Sequence, residues 1–314
     1  MNQQHNARGA YIQALLKQSP LSRNQIASIS GLSNPYILDL EKGSITNVGR
    51  DKLIALAIAL DLGLQEIDDL LTRFDRATLG KEDIPLFVDT TRRIRISSAL
   101  HPVHDSFTFD LVLLSAERQA GRHIIVSPRP ASCLRAEGHR RYAEKRLCEA
   151  HPLYGDLVET IVMERKHRLL INLNHHPVEQ YVCRECLVDY IQRCRDPQER
   201  NWRVRHIKSA INLIEAHDNF QFHLTTECPS FIFVLKSPPE SETGTDTLII
   251  ANIPPHRYQV KTSGLLAGFA TENQAVIENF KKELKAIKRT VIEEFETRQR
   301  LVAFLEELSS TATA

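Results

Sequence analysis

Glycine is scarce in this chain, twelve among 314 residues, and there are only one tryptophan and two methionines. The glycine-rich loops that cradle phosphates in nucleotide-dependent enzymes are absent, as are other enzyme motifs of that kind. An excess of one charge is also lacking: 40 basic residues stand against 39 acidic ones, for a formal net charge of +1. A uniformly basic nucleic-acid coat is thereby excluded, so any DNA contact has to come from a confined surface. No apolar run approaches the roughly 20 residues that span a bilayer. The opening Met-Asn-Gln-Gln-His-Asn has no charged-then-apolar signal pattern. The expectation is a cytoplasmic protein with no membrane partner. Six cysteines scattered over the chain without a secretion signal make no disulfide framework, and reduced thiols are expected. No internal repeat of fixed period is found.

What is present is ordinary globular material, 42% hydrophobic and 25% charged, in a chain long enough for two or more folded units. From Ala7 to Leu71 apolar residues recur at helical spacing, interrupted at Pro20, Gly31 and Gly43, which predicts four or five short helices. The polar stretch 74–90, with a Gly and a Pro, predicts a linker. Beyond it the pattern predicts an α+β domain over 91–270, a sheet covered by helices. Strands are expected at Phe107–Ser115, His123–Ser127, Leu157–Met163, Arg168–Leu173, Phe220–Thr225, Phe231–Lys236, Thr247–Ala251 and Leu265–Ala270. Helices are expected at Glu137–Ala150, Val178–Cys194 and Trp202–His217. The final element, 271–314, is predicted as a long helix opened by a Thr271/Gln274 capping box. Its stripe of Ile277, Phe280, Leu284, Ile287, Val291 and Phe295 suits packing on the sheet or pairing with a second copy.

The densest signal is Leu21-Ser-Arg-Asn-Gln-Ile-Ala-Ser-Ile-Ser-Gly31-Leu-Ser-Asn-Pro-Tyr-Ile-Leu-Asp-Leu-Glu-Lys-Gly43. Ser22 and Gln25 have capping-box spacing, and Ala27 is small where two helices must approach. Gly31 tolerates a left-handed turn, with Leu32 expected to bury beneath it. Ser33 is placed to cap the next helix, with Pro35 in its first turn. Ile26, Leu32, Ile37 and Leu40 would set the angle between the two helices, leaving the outer face of Asn34–Glu41 free for a major groove. At Ser22, Ile26, Ala27, Gly31, Leu32, Ser33, Tyr36, Ile37, Glu41 and Gly43 the segment resembles the helix-turn-helix domains of phage-repressor and xenobiotic-response-element type. The resemblance covers the first quarter of the chain and implies a sequence-specific transcriptional regulator binding double-stranded DNA, not an enzyme.

On that resemblance DNA contacts are expected from Arg23, Asn34, Tyr36, Leu38, Asp39, Lys42, Asn47 and Arg50. Arg23 and Asp39 depart from the commoner residues at their positions: an Arg can reach a phosphate or guanine, while an Asp either accepts from cytosine or repels the backbone. Through Leu60 there are six basic residues (Arg8, Lys17, Arg23, Lys42, Arg50, Lys52) against Asp39, Glu41 and Asp51. An excess this modest points to a homodimer on a two-fold site.

The larger remainder is read as an effector-sensing and dimerisation domain for a small molecule. An enzyme carried on a DNA-binding module and an antitoxin-like autoregulatory protein are the alternatives. His206-Ile-Lys208 is similar to a phospholipase-D triplet but lacks the following Asp and a second copy, so catalysis is not expected there. Cys183-Arg-Glu-Cys186, preceded by His175-His176, is the one cluster with ligand chemistry, and zinc, a redox role or plain packing are open to it. The basic run His139, Arg140, Arg141, Lys145 and Arg146 suits an anionic effector, an auxiliary DNA contact or a solvated face.

Overall fold

The computed structural model describes residues 2–45, 47–229, 231–252 and 265–310. The chain divides into two compact units, one formed by Met1–Arg95 with Arg146–Thr160, the other by Ile96–Lys145 with Ile161–Ala314.

The first unit is helical: α1 (Asn2–Gln18), α2 (Arg23–Ser30), α3 (Asn34–Glu41), α4 (Arg50–Ala59), α5 (Leu64–Arg73) and α6 (Ile84–Thr90). Its core is made by Ile12, Ile26, Ile37, Leu53, Leu56, Ile67 and Leu70, each no more than 1% exposed. Gly9 is required by a close approach, because a Cβ there would lie 2.7 Å from the Gly43 nitrogen. The expected linker at 74–90 is instead part of this unit. Arg50 donates from Nε to Ala77 O (3.0 Å) and from Nη2 to Thr78 O (2.7 Å), and it pairs with Asp83, so the polar segment is ordered by one guanidinium. Residues 146–160 belong here too: His151 Nε2 lies 3.1 Å from Asp68 Oδ2, and Lys81 Nζ lies 2.7 Å from Asp156.

The second unit contains β1 (His101–Asp105), α7 (Ser106–Glu117), β2 (Arg122–Ser127) and α8 (His139–Ala143). After α9 (Lys145–Ala150), α10 (Tyr154–Leu173) continues into it, followed by β3 (Val178–Cys183), α11 (Arg184–Gln192) and α12 (Pro197–Ala216). The chain then forms β4 (Phe220–Thr225), β5 (Phe231–Ser237), β6 (Thr247–Asn252), β7 (Leu265–Thr271), α13 (Gln274–Lys288) and α14 (Arg298–Ser310). The seven strands run in the order β1-β7-β6-β5-β2-β3-β4, with β2, β3 and β4 parallel and the other pairs antiparallel. Alternation assigns Ile125, Val182, Phe222 and Ile249 to the face carrying Leu113, Leu169, Ile207 and Leu305, and Ile124, Val126, Phe233 and Ile250 to the face covered by α13.

Several expected elements change type. Phe107–Ser115 is the helix α7, and the two strands expected at 157–163 and 168–173 are one helix, α10. In α7 burial extends all round, so the apolar run has no period by which to tell helix from strand. Val178–Cys183 is a strand buried on both faces, with the helix starting only at Arg184. The basic helix expected over Glu137–Ala150 is split into α8 and α9. The expected long C-terminal helix is likewise two helices, with residues 311–314 outside the described range. Thr271 closes β7, and the cap of α13 is Asn273, whose Oδ1 accepts from Val276 N at 3.2 Å. Ile277, Leu284 and Ile287 are buried against the chain's own sheet, while Phe280, Val291 and Phe295 of that stripe are half-buried.

Candidate functional site

The α2-turn-α3 segment is built from local hydrogen bonds. Ser22 N donates to Gln25 Oε1 (2.9 Å) and Ser22 Oγ accepts from Gln25 N (3.4 Å), closing the capping box. Gly31 adopts φ 71°, in the left-handed region, and its N–H donates to Ala27 O at 2.9 Å. Arg93 Nη1 donates to Ser30 O at 3.1 Å, a cation at the last turn of α2. Ser33 Oγ accepts from Tyr36 N at 3.3 Å, and Pro35 sits in the first turn of α3. Ile26, Ile37 and Leu40 are buried as expected, whereas Leu32 is half-buried.

Asn34, Asp39 and Lys42 are exposed, with Tyr36 and Leu38 half-buried beside them. Asn34 Nδ2 donates to Asn24 Oδ1 at 2.6 Å, which fixes the amide and adds Asn24 to the polar surface. Lys52 Nζ lies 4.6 Å from the Tyr36 ring centroid, a cation over an aromatic face. Neither Asn24 nor Lys52 has a signal in the motif, because each earns its place through a side chain on another element. Arg23 is exposed and reaches Glu41 Oε2 at 2.6 Å, so its charge is partly answered within the chain. Asn47 is exposed and accepts from Arg76. Arg50 is half-buried and donates to Ala77, Thr78 and Asp83, so its guanidinium serves as a strut of the fold.

In the second unit a cavity of about 230 Å³ opens among α7, β2, β5, α8 and α10. Its apolar wall is Phe109, Leu113, Ile125, Ile232 and Val234, and its polar wall holds Arg129, Arg135, Arg140 and Arg165 with Asp110, Glu117 and Glu144. Arg165 donates to Glu117 through Nε and Nη2 (2.9 and 2.7 Å) and through Nη1 to Asp110 (2.6 Å) and Ser132 (2.7 Å). Burial opposes the Arg165 charge, but Glu117 and Asp110 outweigh it and hold the guanidinium charged. Burial pushes Glu117 upward against the pull of Arg165. Arg140 pairs with Asp110 and Glu144 at 2.8 and 2.7 Å. Arg135 differs: its Nε is buried without a hydrogen-bond partner, and burial together with Arg129 and Arg140 lowers it to about 10. Of the expected basic run, His139 and Arg140 are therefore buried, while Arg141, Lys145 and Arg146 are exposed.

The sequence similar to a phospholipase-D triplet carries no catalytic geometry. His206 is fully buried, its Nε2–H donating to Ala131 O (2.9 Å) and its Nδ1 accepting from Tyr190 OH (3.1 Å), and Lys208 is exposed. Burial, reinforced by Arg135, keeps His206 neutral.

The ligand cluster expected from Cys183, Cys186, His175 and His176 is reorganised. Cys183 ends β3 and Cys186 lies in the first turn of α11, so the pair spans a strand-to-helix junction and is not on one helix. His175 and His176 precede β3 and sit a strand length away, about 20 Å. Cys228, from the segment after β4, takes their place: the three sulfurs all lie within 4.8 Å of one another.

Among known proteins, residues 12–67 match the helix-turn-helix family model, and this region is a helix-turn-helix domain of the phage-repressor type. The match supports a DNA-binding transcription regulator and ends before the sheet begins. No helix among the described residues is long and apolar enough to cross a membrane. No curated protein and no solved structure matches the chain.

Proposed function

We propose that this chain regulates transcription in the cytoplasm by laying α3 in the major groove of duplex DNA, and that its second unit senses a small anionic effector. The DNA reading rests on one observation: two side-chain caps and a left-handed glycine hold α3 with Asn34 and Asp39 outward. An Asn amide suits the paired donor and acceptor of adenine, and a carboxylate accepts from cytosine N4. Lys42 contributes to phosphate attraction more than Arg23, whose charge is shared with Glu41. So few phosphate contacts favour a homodimer on two half-sites one helical turn apart, about 34 Å. Ile277, Leu284 and Ile287 of the α13 stripe pack on the chain's own sheet, which favours a pairing surface elsewhere.

The effector reading rests on Arg135, a half-buried cation whose buried Nε lacks a partner, beside Arg129 at the cavity wall. A phosphate or carboxylate there satisfies those donors in two-pronged fashion, and the apolar wall takes the body of the ligand. The test has two parts. Selection from random duplexes should return a two-fold sequence protected by the full chain, and recovery of no preferred sequence would refute the DNA reading. Titration with small phosphates and carboxylates should find a ligand that alters operator affinity in the parent and is lost in Arg135→Leu. Binding that survives this change would remove the cavity from the proposal.

A further inference from the structure

Three thiols from two parts of the second unit meet at one point. Cys183 and Cys186 flank the start of α11, and Cys228 arrives from the segment between β4 and β5, 42 residues beyond Cys186. Cys186 Sγ and Cys228 Sγ are 3.1 Å apart, and no pair among the three sulfurs is separated by more than 4.8 Å. Cys183 is the N-cap residue of α11, so its thiol stands at the start of that helix beside Cys186 in the first turn.

Two other cysteines behave otherwise. Cys133 is buried in the main apolar cluster, and Cys194 Sγ donates to Asp196 O at 3.5 Å, as expected of thiols that only pack. Bringing three sulfurs together fills no apolar gap better than aliphatic groups would, but it does make a soft-ligand triangle. Zinc–thiolate bonds of about 2.3 Å in tetrahedral geometry set sulfurs about 3.8 Å apart, within the spread seen here.

We propose that Cys183, Cys186 and Cys228 bind one Zn²⁺ ion, with the fourth coordination position held by water. Among the described residues no fourth His, Cys, Asp or Glu joins the cluster. Cys183 and Cys186 are buried while Cys228 is half-buried, which puts the exchangeable position on the Cys228 side. The ion clips the segment after β4 to the β3–α11 junction. Zinc therefore stabilises the second unit by the binding energy of a site that the unfolded chain does not hold preformed.

The experiment uses the full chain purified without chelators and kept reduced. Elemental analysis is combined with peptide-resolved alkylation, with and without added Zn²⁺, and with Co²⁺ loading to read thiolate-to-metal absorption. One ion per chain and protection of Cys183, Cys186 and Cys228 together are expected. Cys228→Ser should weaken zinc binding at least about tenfold, as loss of a direct ligand exceeds loss of an outer-shell partner. Replacing His175 and His176 by Ala should leave the stoichiometry unchanged. Equal alkylation of the three thiols with and without zinc would overturn the proposal, as would a Cys186–Cys228 disulfide in reduced protein or zinc lost with the two histidines. The alkylation pattern of the parent decides the matter even if Cys228→Ser does not fold.

Discussion

The two units place the charges of their candidate sites differently. In the helix-turn-helix unit the polar groups that define the surface stay outside: Asn34, Asp39 and Lys42 are exposed, and Ser22 and Ser33 spend their hydroxyls on helix ends. In the sheet unit charge is taken inside, where Arg165 is 3% exposed between Asp110 and Glu117, at 2% and 5%. An exposed charge keeps its hydration and meets a polyanion at little cost, with an effect tuned by salt. A buried charge is costly unless each partner remains in place, so it makes a sharply defined pocket but not a broad adhesive surface. The difference is the reason to assign a macromolecular ligand to the first unit and a small one to the second.

The largest effect should come from breaking the buried network. Arg165→Met strands Asp110 and Glu117 in the interior, and a loss of about 3–5 kcal/mol is expected in urea unfolding followed by probes in the second unit. A loss below about 1 kcal/mol would mean that the network is hydrated and the contrast overstated. Ser33→Ala removes a cap at the surface and should cost only about 1 kcal/mol of stability in thermal or urea melts. Lys42→Ala should leave stability unchanged and reduce the slope of log affinity against log salt by about 1. An unaltered slope would place Lys42 away from phosphate.

A further effect is in acid. Glu179 is held at about 2 because hydrogen bonds from Tyr181, Lys288 and Arg122 outweigh the opposing effect of burial. Its folded value lies below the ordinary glutamate value of about 4.3. Its contribution is therefore complete above that pH and is lost as pH falls through about 2. Glu179→Gln should flatten the stability profile over that window, and a profile parallel to the parent's would remove Glu179 from it.

The first unit was largely legible because its information is local. Ser22, Gln25, Gly31 and Ser33 act on atoms within a few residues of themselves, and the observed caps follow the sequence directly. The structural role of Arg50 was not legible in the same way, because its partners within the chain lie 27 to 33 residues away. The edge and antiparallel strands β4 to β7 were also readable, while α7, α10 and β3 were not. Fully buried runs such as Val178–Cys183 carry no polar alternation from which to infer a period. Cys183 and Cys186 drew attention by spacing, but Cys228 could be added only once the fold brought it to them. Arg135 gave no sign of being distinctive, since burial without a Nε partner is a property of the packed structure.

The most direct test is the affinity of the parent and of Asn34→Ala for the selected operator and for random duplex at one salt concentration. If α3 reads bases, the substitution costs about 1–3 kcal/mol on the operator and much less on random DNA. An equal loss on both, or no loss on either, would contradict the assignment of α3 to the major groove.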